Sequence, residues 1–334
     1  MGEIKQVWVM VECGQKRVKP VFFEAVRAAR LLANSLKGSV EALCLGLEQS
    51  SQAGDLIHYG ADRVRVLKNP LFGTFSLELW LKTIELEINE RKPYAIFFSA
   101  NTHGKELSAA LSAKLNTGLA VDCVAIEATG QEEIIVRRPV YAGKAFSKLT
   151  LRGSGPHVLS LRPNIFRGPG PDLSRSGEIE LVDVQVPDGR LLLKVREIIK
   201  EADNQLDIAE AKVVVSGGLG MQRPENFKFI EDLARVLNGA VGASRPVVDN
   251  GWRQYSNQVG QTGRTVQPDL YIACGISGSV QHLAGMSAAK CIVAINKDAN
   301  APIFSVADYG IVGDALEILP LLTEEFKRVI GNPE

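Results

Sequence analysis

The sequence predicts an α/β protein with an N-terminal mixed α/β domain, residues 1–205, and a C-terminal domain built on a doubly wound parallel sheet, residues 206–334. The length of 334 residues is enough for two domains of about 150 residues each. Short apolar runs alternate with amphipathic stretches in both parts, as is typical of α/β proteins. The alternation is lost between residues 163 and 207, where a Gly- and Pro-rich segment and then a charged segment indicate the boundary.

Four apolar runs predict the first strands of the N-terminal domain. They are VWVMV from residue 7, VEALCL from residue 40, RVRVL from residue 63 and YAIFF from residue 94. The intervening stretches have apolar residues at helical spacing, as at Val21, Ala25 and Leu32. From residue 118 to residue 161 the β-like runs follow one another between Gly, Pro and Ser, so added antiparallel strands are expected there.

Five further apolar runs predict the sheet of the C-terminal domain. They lie near residues 212–216, 240–243, 269–274, 290–295 and 308–312. Helical crossovers between them imply parallel strands, since a parallel connection needs an element that returns the chain. The expected helices include residues 225–237, whose apolar side chains share one face, and residues 315–330 in spite of Pro320.

Composition argues against several classes of function. The 38 Lys and Arg residues balance 38 Asp and Glu residues, which leaves no basic surface for nucleic acid. No run approaches the roughly 18 apolar residues of a membrane-spanning helix, and the N-terminus has no signal-like pattern, so a cytoplasmic protein without membrane insertion is expected. The five cysteines and four histidines are scattered without metal-ligand spacing, which argues against a disulfide framework or a structural metal.

Ligands of open parallel sheets bind beyond the carboxyl ends of the strands, so the segments after each C-terminal strand are the candidate site. After the first, Gly218 and Gly220 form a partial glycine motif, but Arg223 replaces the third glycine. The acidic residue that would bind a ribose hydroxyl about 20 positions later is also missing. A nicotinamide dinucleotide site is therefore disfavoured, and a tight strand-to-helix turn is the alternative.

The segments after the second strand are polar. Ser244 and Arg245 follow the strand directly, although Arg245 could equally form a salt bridge with Asp249. The run NQVGQTG then offers backbone N–H groups from Gly260 to Gly263 to phosphate or ring oxygens, with a polar surface loop as the alternative.

The segment after the third strand turns through glycine and serine into a helix that begins near Ser279, a geometry suited to pyrophosphate. His282 lies in the first turn of that helix, where a packed or capping histidine is the simpler interpretation. Asn296 and Asp298 follow the fourth strand, and Asp314 follows the fifth, where an N-cap is the alternative.

Several of these runs together resemble a known family. VGASRPVVDNGW, QVGQTG, GISGSVQHLAGM and ADYGIVGD are similar to the FAD domain of the α subunit of electron transfer flavoprotein, a family that includes the FixB proteins. PVYAGKAFS at residues 139–147 resembles the first domain of that family. The resemblance extends over essentially the whole chain.

The resemblance implies FAD as cofactor and assigns roles to residues. Arg245 would lie against the isoalloxazine, the Thr262 hydroxyl near flavin N5, and His282 near the C2 carbonyl. Arg245 and His282 would then stabilise negative charge on the reduced ring and raise its first reduction potential. The full set of expected FAD contacts is Ser244, Arg245, Gln258, Val259, Gly260, Gln261, Thr262, Ser277, Gly278, Ser279, Val280, Gln281, His282, Asn296, Asp298 and Asp314. Leu219 departs from the family, which usually has arginine there, and Arg223 could substitute for it.

The resemblance also implies partners. The chain would form a heterodimer with a β subunit and carry electrons from acyl-CoA dehydrogenases, or similar flavin dehydrogenases, to a quinone oxidoreductase or another acceptor. The alternative is a FixB-type electron-bifurcating subunit, in which electrons from NADH pass to ferredoxin or flavodoxin and to a high-potential acceptor. A flavin dehydrogenase with its own substrate pocket and a non-redox nucleotide-binding partner are two further alternatives.

Overall fold

The computed structural model describes residues 4–12, 18–46, 50–129, 133–141, 145–153, 155–185, 195 and 207–331. The chain divides into two compact units, Met1–Lys200 and Glu201–Glu334. The domain boundary predicted near residue 205 lies outside the described residues and stays a prediction.

The first unit is built on a parallel sheet covered by helices on both faces. Its strands are β1 Gln6–Glu12, β2 Ser39–Leu45, β3 Arg63–Lys68, β4 Ala95–Ser99, β5 Leu119–Cys123, β6 Ala125–Ala128, β7 Ile134–Val140, β8 Ala145–Leu151, β9 His157–Leu161 and β10 Glu178–Asp183. Its helices are α1 Pro20–Leu36, α2 Ser50–His58, α3 Leu77–Arg91 and α4 Thr102–Lys114. Seven of the strands form one sheet in the order β10-β3-β2-β1-β4-β9-β5. The central strand β1 is buried on both faces because α1 covers one face while α3 and α4 cover the other.

The expectation of added antiparallel strands between residues 118 and 161 is only partly right. Strands β6, β7 and β8 do form an antiparallel sheet. Strands β5 and β9 instead join the parallel sheet, with β9 between β4 and β5. All five residues of β9 are buried, whereas exposed and half-buried residues alternate along most of β8, and this difference separates an internal strand from a half-solvated one.

The second unit is a five-stranded parallel sheet, as predicted. Its strands are β11 Val213–Gly217, β12 Ala240–Ala243, β13 Leu270–Cys274, β14 Ile292–Asn296 and β15 Tyr309–Val312. Its helices are α5 Phe227–Val236, α6 Arg245–Asp249, α7 Val280–Met286 and α8 Ala315–Gly331, which contains Pro320. The strand order is β12-β11-β13-β14-β15, so the direction of winding reverses between β11 and β13. That reversal is where doubly wound sheets of this order bind ligands.

Alternation along β13 determines which side chains reach which layer of the second unit. Tyr271 and Ala273 pack with Met286 of α7 on one face of the sheet. Ile272 and Cys274 pack on the other face, with side chains of α5 and α8. Successive residues of a strand point to opposite faces, so this register places Tyr271 beneath the helix that begins at the candidate site. None of the helices in the described ranges combines the length and the apolar character that a membrane crossing would require.

Candidate cofactor site

A cleft of about 660 Å³ opens at the carboxyl ends of β11, β12, β13 and β14. It is lined by Gly218, Leu219, Gly220, Ser244, Arg245, Pro246, Val259, Gly260, Gln261, Thr262, Gly275, Ile276, Ser277, Ser279, Gln281, His282, Asn296, Asp298, Ala301 and Pro302. Most of the predicted contact residues are in this set. The exceptions are Gln258, Gly278, Val280 and Asp314.

The turns after β11 and β13 approach each other so closely that Gly220 and Gly275 could not carry side chains. The Gly220 N–H donates to the Gly275 carbonyl at 3.0 Å, and a Cβ on Gly220 would lie 2.6 Å from the Gly275 Cα. Gly275 also has a φ of +61°, in the left-handed region that favours glycine. The glycines that the sequence identified as a partial motif therefore form the wall of the cleft at the reversal point.

Gly278 shapes the next part of the wall without lining the cleft. Its φ is +88°, and a Cβ would lie 2.3 Å from the Ile303 backbone nitrogen. The Ile303 N–H in turn donates to the Ser277 carbonyl at 3.0 Å. Ser279 caps α7, because its side chain accepts a hydrogen bond from the His282 N–H. Val280 is 73% exposed on that helix.

The loop after α6 contradicts one expectation. Its backbone N–H groups were expected to face a ligand, but three of them are used internally. The N–H groups of Gly260, Gln261 and Gly263 donate to the carbonyls of Arg264, Gln281 and Gly260. The loop closes on itself and on the first turn of α7, so it offers side chains to the cleft rather than a row of N–H donors.

Gln258 is a buried residue of this loop and is only 3% exposed. Its Nε2 donates to the Thr262 Oγ1 at 3.1 Å. The Tyr255 hydroxyl donates to the Thr262 carbonyl at 2.5 Å. Thr262 itself lines the cleft, so Gln258 acts on the cleft through Thr262.

Arg245 is the one cation among the lining residues in the described part of the chain. Its Nε lies 3.2 Å from the Asp249 Oδ2, as the salt-bridge alternative predicted. Both side chains are more than half exposed, and exposed ion pairs of this spacing contribute only about 0.3–0.5 kcal/mol. The guanidinium can therefore exchange Asp249 for a ligand at little cost.

His282 is buried, with 4% of its surface exposed. Its Nε2 lies 2.9 Å from the Tyr271 hydroxyl, while its Nδ1 makes no hydrogen bond of standard geometry to any described residue. Burial lowers the pKa of His282 to about 4, and the Val259 backbone opposes this weakly by favouring the protonated ring. The imidazole is therefore neutral at physiological pH.

The polar residues at the carboxyl ends of β14 and β15 use most of their polar atoms within the protein. Asn296 donates to the Ile276 carbonyl at 2.9 Å and accepts from the Asp298 N–H at 3.0 Å. Asp314 accepts from the Leu316 N–H at 2.9 Å, which confirms the capping alternative for this residue. Its salt bridge with Lys297 lowers the pKa of the Asp314 carboxyl.

Sequence analysis missed Tyr271, which does not line the cleft but whose hydroxyl contacts the His282 ring. The signal for it was present in the run LYIAC, because a tyrosine that alternation places in the core needs a partner for its hydroxyl. Leu219 lines the cleft and is 46% exposed, whereas Arg223 is exposed and outside the lining set. The structure thus brings Leu219, and not Arg223, to the cleft.

Two family models match the chain. The electron transfer flavoprotein domain matches residues 7–187, and the electron transfer flavoprotein FAD-binding domain matches residues 207–287. The α subunit of electron transfer flavoprotein from Bacillus subtilis is 43% identical over 326 residues, 97% of this chain and 98% of that protein. The chain belongs to the electron transfer flavoprotein α-subunit family.

Relatives of this family also include FixB proteins. Protein FixB from Clostridium saccharobutylicum is 39% identical over 334 residues, 99% of each chain. Protein FixB from Azorhizobium caulinodans is 36% identical over 327 residues, 97% of this chain and 89% of that protein. A thiamine diphosphate-dependent 4-hydroxybenzoylformate decarboxylase from Rhodococcus jostii RHA1 overlaps 96% of this chain and 59% of its own length at a TM-score of 0.22 and 12% identity, which is too distant to bear on fold or function.

FAD is the cofactor of the electron transfer flavoprotein α-subunit family, and the cleft fits it. The cleft lies at the winding reversal, its glycine walls leave room for a ligand to approach closely, and Arg245 places a positive charge in the lining. His282 adds a buried, neutral imidazole ring to the lining. Thr262 and Ser277 add hydroxyl groups to the lining.

Proposed function

We propose that this chain forms a heterodimer with the β subunit of electron transfer flavoprotein and carries electrons from acyl-CoA dehydrogenases, or similar flavin dehydrogenases, to a quinone oxidoreductase or another acceptor. The observation that supports a carrier most strongly is the lining of the cleft. Its ionisable members in the described chain are Arg245, Asp298 and His282. None is arranged as a catalytic base, because His282 already bonds Tyr271 through Nε2, and Asp298 accepts from the Asn300 N–H in its own turn.

When bound, FAD supplies the redox chemistry, including the acceptance of single electrons, and the protein tunes it. Arg245 would place a positive charge beside the isoalloxazine, whereas His282 would present a neutral ring. A hydrogen bond that involves a charged group contributes about 1.5–3 kcal/mol, against about 0.5–1.5 kcal/mol for a neutral one. Since burial keeps His282 neutral, Arg245 is expected to contribute the larger part of the increase in reduction potential.

The remaining walls would hold and shield the cofactor. Gly220 and Gly275 bring two backbone turns together at the winding reversal, which leaves the polar lining of the cleft fixed before a ligand binds. The buried amide of Gln258 orients the Thr262 hydroxyl in the same way. Such preorganisation favours binding because less conformational freedom is lost when the ligand arrives.

The test is purification of the complete chain together with the β subunit. One FAD per heterodimer, with electron transfer from an acyl-CoA dehydrogenase to a quinone analogue and no dehydrogenase activity of the complex alone, is the expected result. Two FAD per heterodimer, with NADH-dependent reduction of ferredoxin or flavodoxin, would favour the bifurcating alternative. A complex that cannot be loaded with FAD would contradict the proposal.

A matched pair of variants makes this test specific to the cleft. Arg245→Gln removes the cation of the lining, whereas Arg235→Gln removes an arginine in a comparable exposed ion pair, with Asp232 on α5. The proposal expects a lower FAD reduction potential in the first variant only.

A further inference from the structure

Tyr271 lies directly behind His282 and outside the cleft. It is the second residue of β13, it is fully buried, and its side chain packs in the core beneath α7. Its hydroxyl lies 2.9 Å from the His282 Nε2. Tyr271 is not a lining residue, so its hydroxyl acts on the cleft through its hydrogen bond with His282.

Both partners of this hydrogen bond are neutral. Burial disfavours the charged form of each group, so it raises the pKa of the Tyr271 phenol and lowers that of the His282 imidazole. A neutral imidazole carries one N–H and one lone pair, and the position of its proton depends on the hydrogen bonds of the two nitrogens. Two arrangements are open: either the Tyr271 O–H donates to Nε2, or Nε2–H donates to the Tyr271 oxygen.

The surroundings favour donation by Tyr271. The Val259 backbone favours a protonated ring, and because Nε2 faces Tyr271, the nitrogen available to the Val259 carbonyl is Nδ1. A lone pair on Nδ1 would face that carbonyl oxygen unfavourably, whereas an N–H would not. The Ser216 hydroxyl favours negative charge on the Tyr271 oxygen, as a donor does, although it makes no hydrogen bond of standard geometry.

We propose that Tyr271 is a positioning residue for the FAD site: its hydroxyl donates to Nε2 of His282, fixes the imidazole ring, and keeps the ring proton on Nδ1. His282 then presents to the cleft a neutral ring of fixed orientation, with its proton on the nitrogen that faces the Val259 carbonyl. The ring orientation is set by the core of the second unit and not by the ligand. This inference rests on the proposed function, because it assigns Tyr271 a role in the same cofactor site.

The direct test is the protonation pattern of the His282 ring in the wild-type heterodimer. The α chain is labelled with ¹⁵N-histidine, combined with unlabelled β subunit, and assigned by comparison with His282→Gln. A protonated Nδ1 and an unprotonated, hydrogen-bonded Nε2 are expected. A protonated Nε2 would overturn the proposal. The measurement uses the wild-type chain, so it does not depend on whether a Tyr271 variant folds.

The second test is Tyr271→Phe in the same complex, which removes the hydroxyl and keeps the ring. The expected result is loss of the single Nδ1-protonated form and a shift of both ¹⁵N signals, together with a change in FAD reduction potential. Thr323→Val is the matched control, since Thr323 also buries a hydroxyl that makes one hydrogen bond, at 2.8 Å, but lies on α8 outside the cleft lining. Unchanged ¹⁵N signals in Tyr271→Phe, or equal changes in both variants, would overturn the positioning role.

Failure of the proposed function gives a different pattern. If the complex binds no FAD but the His282 signals still respond to Tyr271→Phe, the hydrogen-bond assignment holds and the electron-carrier function does not. If FAD is bound with a normal potential and the signals do not respond, the carrier function holds and the role of Tyr271 does not.

Discussion

The buried amide of Gln258 holds the hydroxyl of Thr262 at 3.1 Å, although only Thr262 lines the cleft. The amide N–H is the donor, so the Thr262 oxygen accepts and its own proton remains available to a ligand. Both residues belong to one loop, four positions apart, and Gln258 is 97% shielded only after that loop has folded over it. Gln258 was expected to touch FAD; in the structure it is bonded to Thr262 and is not itself a lining residue, and its contact with FAD stays a prediction.

Replacement of Gln258 by Leu should weaken FAD binding. The loss of one hydrogen bond that orients Thr262 is worth about 0.5–1.5 kcal/mol, so the FAD dissociation constant of the heterodimer should rise by about 2- to 10-fold. Flavin fluorescence after dilution measures it. Gln254→Leu is the control, because Gln254 lies in the same loop but is exposed and does not line the cleft. Equal affinities of the two variants would show that the amide does not act on the site.

Substitution of Gly278 by Ala should destabilise the second unit strongly. The added Cβ would meet the Ile303 backbone nitrogen at 2.3 Å, and the φ of +88° adds strain. Gly251→Ala separates the two effects, since Gly251 has a φ of +72° but no atom within 4 Å of the added Cβ. We expect a loss of about 1 kcal/mol for Gly251→Ala and about 3 kcal/mol or more for Gly278→Ala in urea unfolding. Similar losses of stability in the two variants would mean that the backbone at Ile303 moves away from the added Cβ without a free-energy penalty.

Acid should destabilise the protein through His282. The folded chain lowers the pKa of this group to about 4, below its ordinary value of 6.5, so the unfolded chain binds the proton more readily. Stability is therefore complete above about pH 6.5 and is lost as the pH falls towards 4, with about 2 kcal/mol lost at pH 5. The glutamine in His282→Gln cannot titrate. Between pH 7 and pH 5 the free energy of unfolding of this variant should therefore fall by about 2 kcal/mol less than that of the wild type. Identical pH profiles would contradict this.

Replacement of Arg245 by Gln should separate redox tuning from stability. The salt bridge with Asp249 is exposed, so the free energy of unfolding should change by no more than about 0.5 kcal/mol. The first reduction potential of bound FAD should fall by about 60 mV or more, since about 1.4 kcal/mol corresponds to about 60 mV for one electron. A dithionite titration against a reference dye measures the change. An unaltered potential would remove Arg245 from the tuning of the flavin.

The repeating patterns of the sequence predicted most of the fold because they report local burial. The five strands of the second unit lie within two residues of the predicted positions, and Pro320 is accommodated near the start of α8 as expected. The region before β9 was less predictable. A short β-like run such as HVLSL indicates a strand, but not which strand lies beside it, and β9 pairs with β4 across more than fifty residues of sequence.

The sequence predicted which residues line the candidate site better than it predicted the hydrogen bonds that they form. Residues such as Ser244 and Thr262 follow strands whose carboxyl ends meet at one edge of the sheet, so the sequence could place them together. It could not show that the N–H groups of Gly260 and Gln261 are already paired, because their partners come from the closure of the loop and from α7.

By itself, the sequence determined the α/β class, the family, FAD as cofactor and the group of segments that form the cleft, since periodicity and contiguous motifs carry that information. Only the tertiary structure decided that Tyr271 meets His282, that Leu219 rather than Arg223 reaches the cleft, and that Arg245 is held loosely by Asp249. Two of these depend on which residues the folded backbone brings to one edge or one layer of the sheet. The third depends on how strongly solvent exposure weakens an ion pair. Local sequence spacing reports neither the neighbours of a residue in the fold nor its exposure to solvent.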